Sequence, residues 1–418
     1  MHVRRLALLG AIVVLLLGGA IYLIFIRGGN DAPLVEAGSR FGGEGGRGHG
    51  GTLMDTLAPV LGARVSSVRG GSDPAPPQAD QLGSAPQDAV AGLFMVGFRG
   101  TDATSSFVKR LGARPYGGVL LTGSNYTEPQ QLSALTLALQ TAARDAGHPA
   151  PIIAAPQEGG EFSAFRNLAP PAQVDVGNGR APIRDSALAA GRQLRALGVG
   201  MNLAPNADIA VAGGPGQGRA FSDQVPKVAG AVKASVAAYR QSKVVAAVGP
   251  FPGDGGASQD PTEGPAAVGL SIDELRRSDM APFAAIAGGP RAAPAIQMSN
   301  AIYAAFDGVT PATLLPDAVS ELRDRLGFEG AIVSADLVAT TATTGGSVGE
   351  AAIDALKAGV DLLVVPGGRA QQDEAYRAVV AAVRSRAISS ERVVEALRRI
   401  AAVRKLTRDA RTPLRPGA

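Results

Sequence analysis

From about residue 89 onward, short apolar runs alternate with longer amphipathic segments. This alternation restricts the fold more than any other feature of the sequence. The runs are rich in Val, Ile and Leu and are apolar throughout, which is typical of parallel strands buried on both faces. They predict eight strands, at residues 93–98, 118–122, 151–155, 199–204, 244–248, 294–298, 331–334 and 361–365.

The segments between these runs have helical periodicity, and glycines such as Gly147, Gly198 and Gly359 follow several of them as helix stops. Eight strands that are each followed by a helix predict an α/β fold of the (β/α)₈ TIM-barrel type, whose chemistry lies at the carboxyl ends of the strands. The alternative is an open doubly wound sheet. No glycine-rich phosphate motif follows the first strand, which favours the barrel. The helices are predicted at residues 128–146, 184–197, 225–242, 271–287, 315–326 and 348–358.

An apolar segment at residues 6–26 follows Arg4 and Arg5 and precedes Arg27. As a helix it is about 31 Å long, which matches the bilayer core. It is longer than the apolar region of a signal peptide and has no Ala-x-Ala-like exit, so residues 1–27 are predicted to be an uncleaved transmembrane anchor. Arg4, Arg5 and the initiating amine, opposed only by Arg27, predict a single-pass protein of the cell membrane with a cytoplasmic amino terminus and an extracytoplasmic main domain.

The segment between the anchor and the first strand is rich in Gly, Pro, Ser and Asp. Such a composition buries too little apolar surface to order a chain. We therefore expect residues 28–88 to be a disordered tether, residues 89–408 to form the barrel and residues 409–418 to be a flexible tail.

Composition excludes several classes of function. The formal net charge is +4, and no basic block is interleaved with aromatic residues, so no nucleic-acid partner is expected. The chain has no cysteine, which excludes disulfides and thiolate zinc sites. Its three histidines are scattered and no cofactor motif is present, so neither a metal nor a cofactor is expected.

Six motifs lie at the ends of the predicted strands. They are Gly117-Gly118-Val119-Leu120-Leu121 with Asn125, Gln157-Glu158-Gly159-Gly160, Gly200-Met201-Asn202-Leu203-Ala204-Pro205 with Asp208, Gly218-Arg219-Ala220-Phe221, Phe251-Pro252-Gly253 and Ser334-Ala335-Asp336-Leu337. In order, and over about residues 88–406, these motifs resemble those of family 3 glycoside hydrolases. We expect no second domain after residue 406, as in single-domain β-N-acetylhexosaminidases, and the resemblance implies a carbohydrate ligand such as a peptidoglycan fragment.

The family's catalytic pair has no counterpart at the matching positions. The resemblance implies a nucleophilic Asp at the end of the seventh strand, where this chain has Ala335. It implies a proton-transferring His in an Asp-x-His element after the fifth strand, where this chain has Asp260-Pro261-Thr262. No catalytic residue of the family is therefore expected to be intact. Possible substitutes are Asp336, Glu263 and Asp254.

Asp336 directly follows Ala335 on the predicted strand, and successive side chains on a strand face opposite sides. We therefore expect it to bond to backbone N–H groups at a helix start rather than to replace the nucleophile. Glu263, Asp260 and Asp254 lie in the fifth loop, where the alternative to a catalytic role is a solvated surface.

The sugar-binding positions of the family are only partly filled. Arg219 and Asp208 are predicted to contact the ligand, although Asp208 is equally compatible with a structural role. Glu158, in a tight turn, and Asn300, at a family histidine position, are further candidates. Three other replacements follow from the resemblance: Gly249 and Pro250 stand for a Lys-His pair, and Pro156 stands for an Asp.

Two hypotheses follow. In the first, the protein is a membrane-tethered pseudoenzyme that binds cell-wall glycan or an envelope protein. In the second, it is an active glycosidase with relocated carboxylates, which requires two carboxyl groups about 5–5.5 Å apart for retention or about 6.5–9.5 Å apart for inversion.

Overall fold

The computed structural model describes residue 82, residues 86–102 and residues 106–408. The predicted anchor, the predicted tail and nearly all of the predicted tether lie outside these residues. Within the described part, no helix is both long and apolar enough to cross a bilayer.

Eight parallel strands form a closed barrel, as the alternation predicts. The ring is closed by the first and last barrel strands, in which Phe94 lies opposite Leu363 and Val96 opposite Val365. The barrel strands are β1 (Phe94–Gly97), β2 (Gly118–Leu120), β3 (Ile152–Ala155), β4 (Met201–Asn202), β5 (Val245–Phe251), β7 (Ala295–Met298), β9 (Ala331–Asp336) and β10 (Leu362–Val365).

The helices surround the barrel and bury their apolar faces against it. Two predicted helices are interrupted. The first breaks at Ser278 ahead of Pro282, and the second continues from an α-helix into a π-helical turn, Glu321–Arg325. The helices are α1 (Gln87–Ala91), α2 (Ser106–Ala113), α3 (Pro129–Asp145), α4 (Gln173–Gly177), α5 (Ile183–Ala196), α6 (Val225–Gln241), α7 (Ile272–Arg277), α8 (Ala281–Ala287), α9 (Pro316–Ser320), α10 (Leu337–Thr344), α11 (Val348–Ala358), α12 (Arg369–Arg384) and α13 (Ser390–Arg408).

A second, two-stranded sheet joins the long loops that follow β5 and β7. Its strands are β6 (Ala267–Val268) and β8 (Ile302–Tyr303), which run parallel to each other. Each is only two residues long, so neither produces a detectable periodic pattern in the sequence. The pairing fixes Tyr303, whose buried hydroxyl contacts the loop after β5.

A buried carboxylate ties the start of β10 to the surrounding helices. Asp361 is fully buried and accepts hydrogen bonds from Arg323 at 2.7 Å, Arg392 at 2.6 Å and the backbone N–H of Ile332 at 2.9 Å. Arg399 lies 3.3 Å from the same carboxylate. Because a buried ion needs such partners, this cluster joins the sheet to α13 and to the Glu321–Arg325 turn.

Asp361→Asn is expected to lower the free energy of unfolding by about 3–5 kcal/mol, because it leaves buried guanidinium groups without their counter-charge. The measurement is urea denaturation of the full-length chain. The matched control is Glu395→Gln, which removes a half-exposed carboxylate from Arg392 and Arg399 and should cost less than about 1 kcal/mol. Equal costs for the two variants would contradict the assigned role of Asp361.

Candidate active-site pocket

A pocket of about 210 Å³ opens at the carboxyl ends of the barrel strands. This volume is below the range of about 300–1,000 Å³ typical of sites for drug-sized ligands, so it suits one small polar unit. Apolar residues such as Leu120 and Met298 form part of its wall. It also brings together most of the site residues predicted from the sequence: Glu158, Arg219, Asp254, Asp260, Thr262, Asn300, Ala335 and Asp336.

The end of β9 is irregular at this pocket. Val333 lies opposite Leu362, but the next pair is Asp336 with Val364, so β9 carries one residue more than β10 over this interval. The Ser334 hydroxyl accepts a hydrogen bond from the N–H of Val364 at 2.8 Å and donates to the carbonyl of Ala335 at 2.6 Å. A bulge of this kind redirects side chains.

Both Ala335 and Asp336 consequently line the pocket. The expectation that they face opposite sides assumed a regular strand, and the bulge removes that regularity at the end of β9. The Ala335 methyl is buried, and its N–H donates to the Thr313 hydroxyl at 3.1 Å.

Asp336 begins helix α10. Its Oδ1 accepts hydrogen bonds from the N–H groups of Val338 at 2.8 Å and Ala339 at 3.1 Å, which is the N-cap arrangement expected from the sequence. Burial raises the pKa of Asp336, and the two backbone bonds oppose that rise.

Asn300 ties the β7 loop to the same helix. Its Nδ2 donates to the Asp336 carbonyl at 3.0 Å, and its Oδ1 accepts from the Thr340 hydroxyl at 2.6 Å. Its side chain lines the pocket but has partners within the protein on both of its polar atoms.

Asp260 and Thr262 lie together in the loop after β5. One carboxylate oxygen of Asp260 accepts from both the N–H of Thr262, at 2.8 Å, and its hydroxyl, at 2.7 Å. The adjacent Glu263 is exposed and is not among the residues that line the pocket. Of the two substitute candidates in the loop after β5, Glu263 and Asp254, only Asp254 lines the pocket.

Arg219 and Glu158, both predicted to bind substrate, bind each other. Arg219 Nε donates to Glu158 Oε2 at 2.6 Å, and Nη2 donates to Oε1, which makes a bidentate pair. The guanidinium carbon also lies 5.2 Å from the centre of the Phe162 ring. Burial disfavours the charge of Arg219, but the Glu158 carboxylate outweighs burial and raises the pKa above its usual value.

Asp254 and Asp208 form a buried acidic pair. The N–H of Asp254 donates to Asp208 Oδ1 at 2.6 Å, and Asn206 Nδ2 donates to Asp208 Oδ2 at 2.8 Å. Asp254 Oδ1 accepts from the Tyr303 hydroxyl at 2.7 Å and from the Ser299 hydroxyl.

Burial, and secondly the charge of Asp254, raise the pKa of Asp208 to about 8. Burial also raises the pKa of Asp254. The pair therefore holds a proton near neutral pH. Asp254 lines the pocket, whereas Asp208 is not among the lining residues, and its bonds to Asn206 and Asp254 match the structural role that the sequence left open for it.

Sequence reasoning missed Ser299 and Tyr303, the two hydroxyls that hold Asp254. Ser299 had a usable signal, because it directly follows a predicted strand and precedes Asn300. Tyr303 had none, since it lies in a two-residue strand whose partner is 35 residues away in sequence.

Gly249 stands where the resemblance implies a lysine, and Gln297 packs closely against it. A Cβ atom there would lie 2.9 Å from Gln297 Cβ and 3.0 Å from the Gln297 carbonyl oxygen. Gln297 itself lines the pocket. Among the described residues, no group of three or more His, Cys, Asp or Glu side chains has a geometry that would hold a metal ion.

Comparisons with known proteins agree with this architecture. A β-hexosaminidase of Alkalilimnicola ehrlichii is 31% identical over 299 residues, covering 66% of this chain and 81% of that protein. The solved β-N-acetylglucosaminidase of Paenibacillus sp. FPU-7 has a TM-score of 0.73 and 29% identity, covering 79% of this chain and 64% of that one. The solved β-N-acetylhexosaminidase of Beutenbergia cavernae has a TM-score of 0.70 and 28% identity, covering 76% and 98% of the two chains.

The family model described as the glycosyl hydrolase family 3 N-terminal domain matches residues 87–403, which span the whole barrel from α1 into α13. The chain therefore belongs to glycosyl hydrolase family 3, through its N-terminal barrel domain.

Proposed function

We propose that this protein is a membrane-anchored, extracytoplasmic pseudoenzyme that binds cell-wall glycan or an envelope partner and does not hydrolyse glycan. One observation carries the proposal. Ala335 and Thr262 line the same pocket, at the positions where the resemblance puts the nucleophile and the proton-transferring group.

Retaining hydrolysis needs a nucleophile and an acid/base on the two sides of the glycosidic bond. A methyl group has no lone pair for attack. The Thr262 hydroxyl donates to Asp260 and has no titration near neutral pH. General acid/base catalysis alone contributes about 10²–10⁴ in rate, so the loss of both groups leaves little to drive turnover.

The other carboxylates of the pocket have structural partners. Glu158 is paired with Arg219, Asp336 caps α10, and Asp254 is held by Ser299 and Tyr303. The raised pKa values of Asp254 and Asp336 are the one feature that favours the alternative, an active glycosidase with relocated carboxylates. The hydrogen bonds that both carboxylates accept within the protein favour a binding function instead.

Two further observations support a glycan ligand at the envelope. Relatives of the chain are named β-hexosaminidases, and the pocket keeps Arg219, which uses two of its five N–H groups on Glu158. The membrane location rests on the apolar segment at residues 6–26 and on Arg4 and Arg5 before it.

The full-length chain, purified in detergent, should sediment with insoluble peptidoglycan and should release no chromophore from an aryl N-acetylglucosaminide above the buffer rate. Asp254→Asn and Asp336→Asn serve as matched variants, because Asn keeps the hydrogen bonds to Oδ1. If the chain releases chromophore and either substitution abolishes that release, the alternative with relocated carboxylates is established. If the chain does not sediment with peptidoglycan, glycan is not its ligand.

Topology can be measured with single cysteines, because the chain has none of its own. Val309→Cys, at a position that is 72% exposed, should react with a membrane-impermeant maleimide in spheroplasts. His2→Cys should react only after permeabilisation. Protection of the Val309→Cys site would contradict an extracytoplasmic barrel.

Asp254→Asn should stabilise the protein most at the alkaline end of the range. The pKa of Asp208 rises from about 4 in the unfolded chain to about 8 in the fold, so stability falls as pH rises between these values. Removing the charge of Asp254 lowers the pKa of Asp208, so the loss of stability with rising pH becomes smaller. Thermal melts should give a Tm gain near pH 8 that shrinks toward pH 4, whereas Glu263→Gln should give no such trend. A gain that is constant over this range, or grows toward acid, would contradict the effect of Asp254 on the pKa of Asp208.

A further inference from the structure

The outer surface of the barrel is unevenly charged. Three described segments, residues 186–207, 224–253 and 280–306, contain no Asp or Glu. They include most of α5 and all of α6 and α8. Helix α6 packs against both α5 and α8, so the three segments form one continuous side of the barrel. The exposed charged residues of this side, the basic flank, are Arg192, Lys227, Lys233, Arg240, Lys243 and Arg291.

The six cations of the basic flank have no acidic partner. None of the ion pairs in the described part of the chain involves one of them. Arg240 donates to the carbonyl oxygens of Pro290 at 2.9 Å and Ala292 at 2.6 Å, so its guanidinium lies against the segment that carries Arg291. Carbonyl oxygens have no net charge, so neither arginine is neutralised. Such a concentration of like charge attracts an anionic surface.

The other side of the barrel is balanced in charge. Basic residues in the last turn of a helix are common because they complement the helix dipole, so cations alone do not distinguish the flank. Helix α12 follows β10, which lies opposite β4 in the ring of strands. It carries Arg377 and Arg384 together with Asp373 and Glu374, and Asp373 pairs with two arginines. The absence of acidic residues is therefore specific to the flank.

Helix α6 forms the centre of the basic flank. Its exposed positions recur at helical spacing and include Lys227, Gly230, Lys233, Ala237 and Arg240. Because Gly and Ala separate the cations, no bulky side chain keeps a flat partner away from them. A small ligand would need a concave site, so a row of cations on a convex side of the barrel suits an extended anionic surface.

We propose that the basic flank docks on the surface of an anionic phospholipid bilayer. This inference rests on the membrane anchor of the proposed function, because the anchor keeps the barrel beside a bilayer and makes docking an intramolecular step. Each cation near an anionic bilayer adds attraction, which decays within a Debye length. The flank runs alongside the strands, whereas the pocket lies at their carboxyl ends. A docked barrel therefore opens its pocket along the membrane plane, toward glycan close to the bilayer.

The test is energy transfer from a dye on the barrel to a headgroup acceptor in nanodiscs that hold the full-length chain. The chain has no cysteine, so the dye can be placed at Ala237→Cys, exposed on α6, or at Ala381→Cys, exposed on α12. The discs contain phosphatidylcholine alone or mixed with an equal amount of phosphatidylglycerol. Phosphatidylglycerol should raise the transfer from Ala237→Cys and lower it from Ala381→Cys. Added salt should reverse both changes.

Charge variants assign the docking to the flank. Lys227→Glu combined with Lys233→Glu should lower the ratio of docked to undocked barrel about tenfold or more, because each change replaces an attraction by a repulsion. The matched control is Arg377→Glu combined with Arg384→Glu, which changes the net charge equally on α12 and should leave the ratio nearly unchanged. All four residues are exposed, and thermal melts show whether both variants fold.

The outcomes separate this inference from the proposed glycan binding. Equal transfer in the two kinds of disc, a rise at Ala381→Cys in place of Ala237→Cys, or equal effects of the two charge variants would overturn the inference and leave glycan binding standing. A chain that does not enter nanodiscs would overturn the anchor and the inference together. A response of the Ala237→Cys dye to soluble polyphosphate but not to phosphatidylglycerol would also overturn it, since the partner would then be a soluble polyanion.

Discussion

Closure of the strand ladder is the constraint on which the rest of the molecule depends. Because β1 pairs with β10 in the same parallel sense as its other neighbour β2, the carboxyl ends of eight short strands converge on one small space. Residues as distant in sequence as Glu158 and Asp336 meet there. At the opposite end of the barrel, the ion pairs of Asp361 with Arg323 and Arg392 hold the start of β10 to the surrounding helices. The polar side chains of the pocket lie at the carboxyl ends of the strands.

The sequence predicted the barrel well, because buried parallel strands leave continuous apolar runs that few other structures produce. All eight predicted runs overlap barrel strands, and the predicted helix at residues 348–358 has the bounds of Val348–Ala358. The bulge at Ser334 was not predictable, since a bulge depends on how two strands register and not on either strand alone. The break at Ser278, by contrast, precedes Pro282, which occupies the first turn of α8 and is a helix-start signal in the sequence.

Within the site, the sequence identified most of the polar residues but not what they bind. Glu158 and Arg219 were both expected to contact a ligand, and they form an ion pair across 61 residues of sequence. Asp208 and Asp254 are 46 residues apart, so the hydrogen bond between them is a property of the fold. The distance between two residues in the sequence does not predict such pairs. Their position at the carboxyl ends of predicted strands does predict that their loops lie at the same end of the barrel.

The close approach of Gly249 to Gln297 restricts the side chains that this part of the pocket wall can carry. A Cβ atom at position 249 would lie 2.9 Å from Gln297 Cβ and 3.0 Å from the Gln297 carbonyl oxygen, so any residue larger than glycine requires β5 or β7 to move. Substitutions that add a side chain to the pocket are therefore confined to wall positions that have free space beside them.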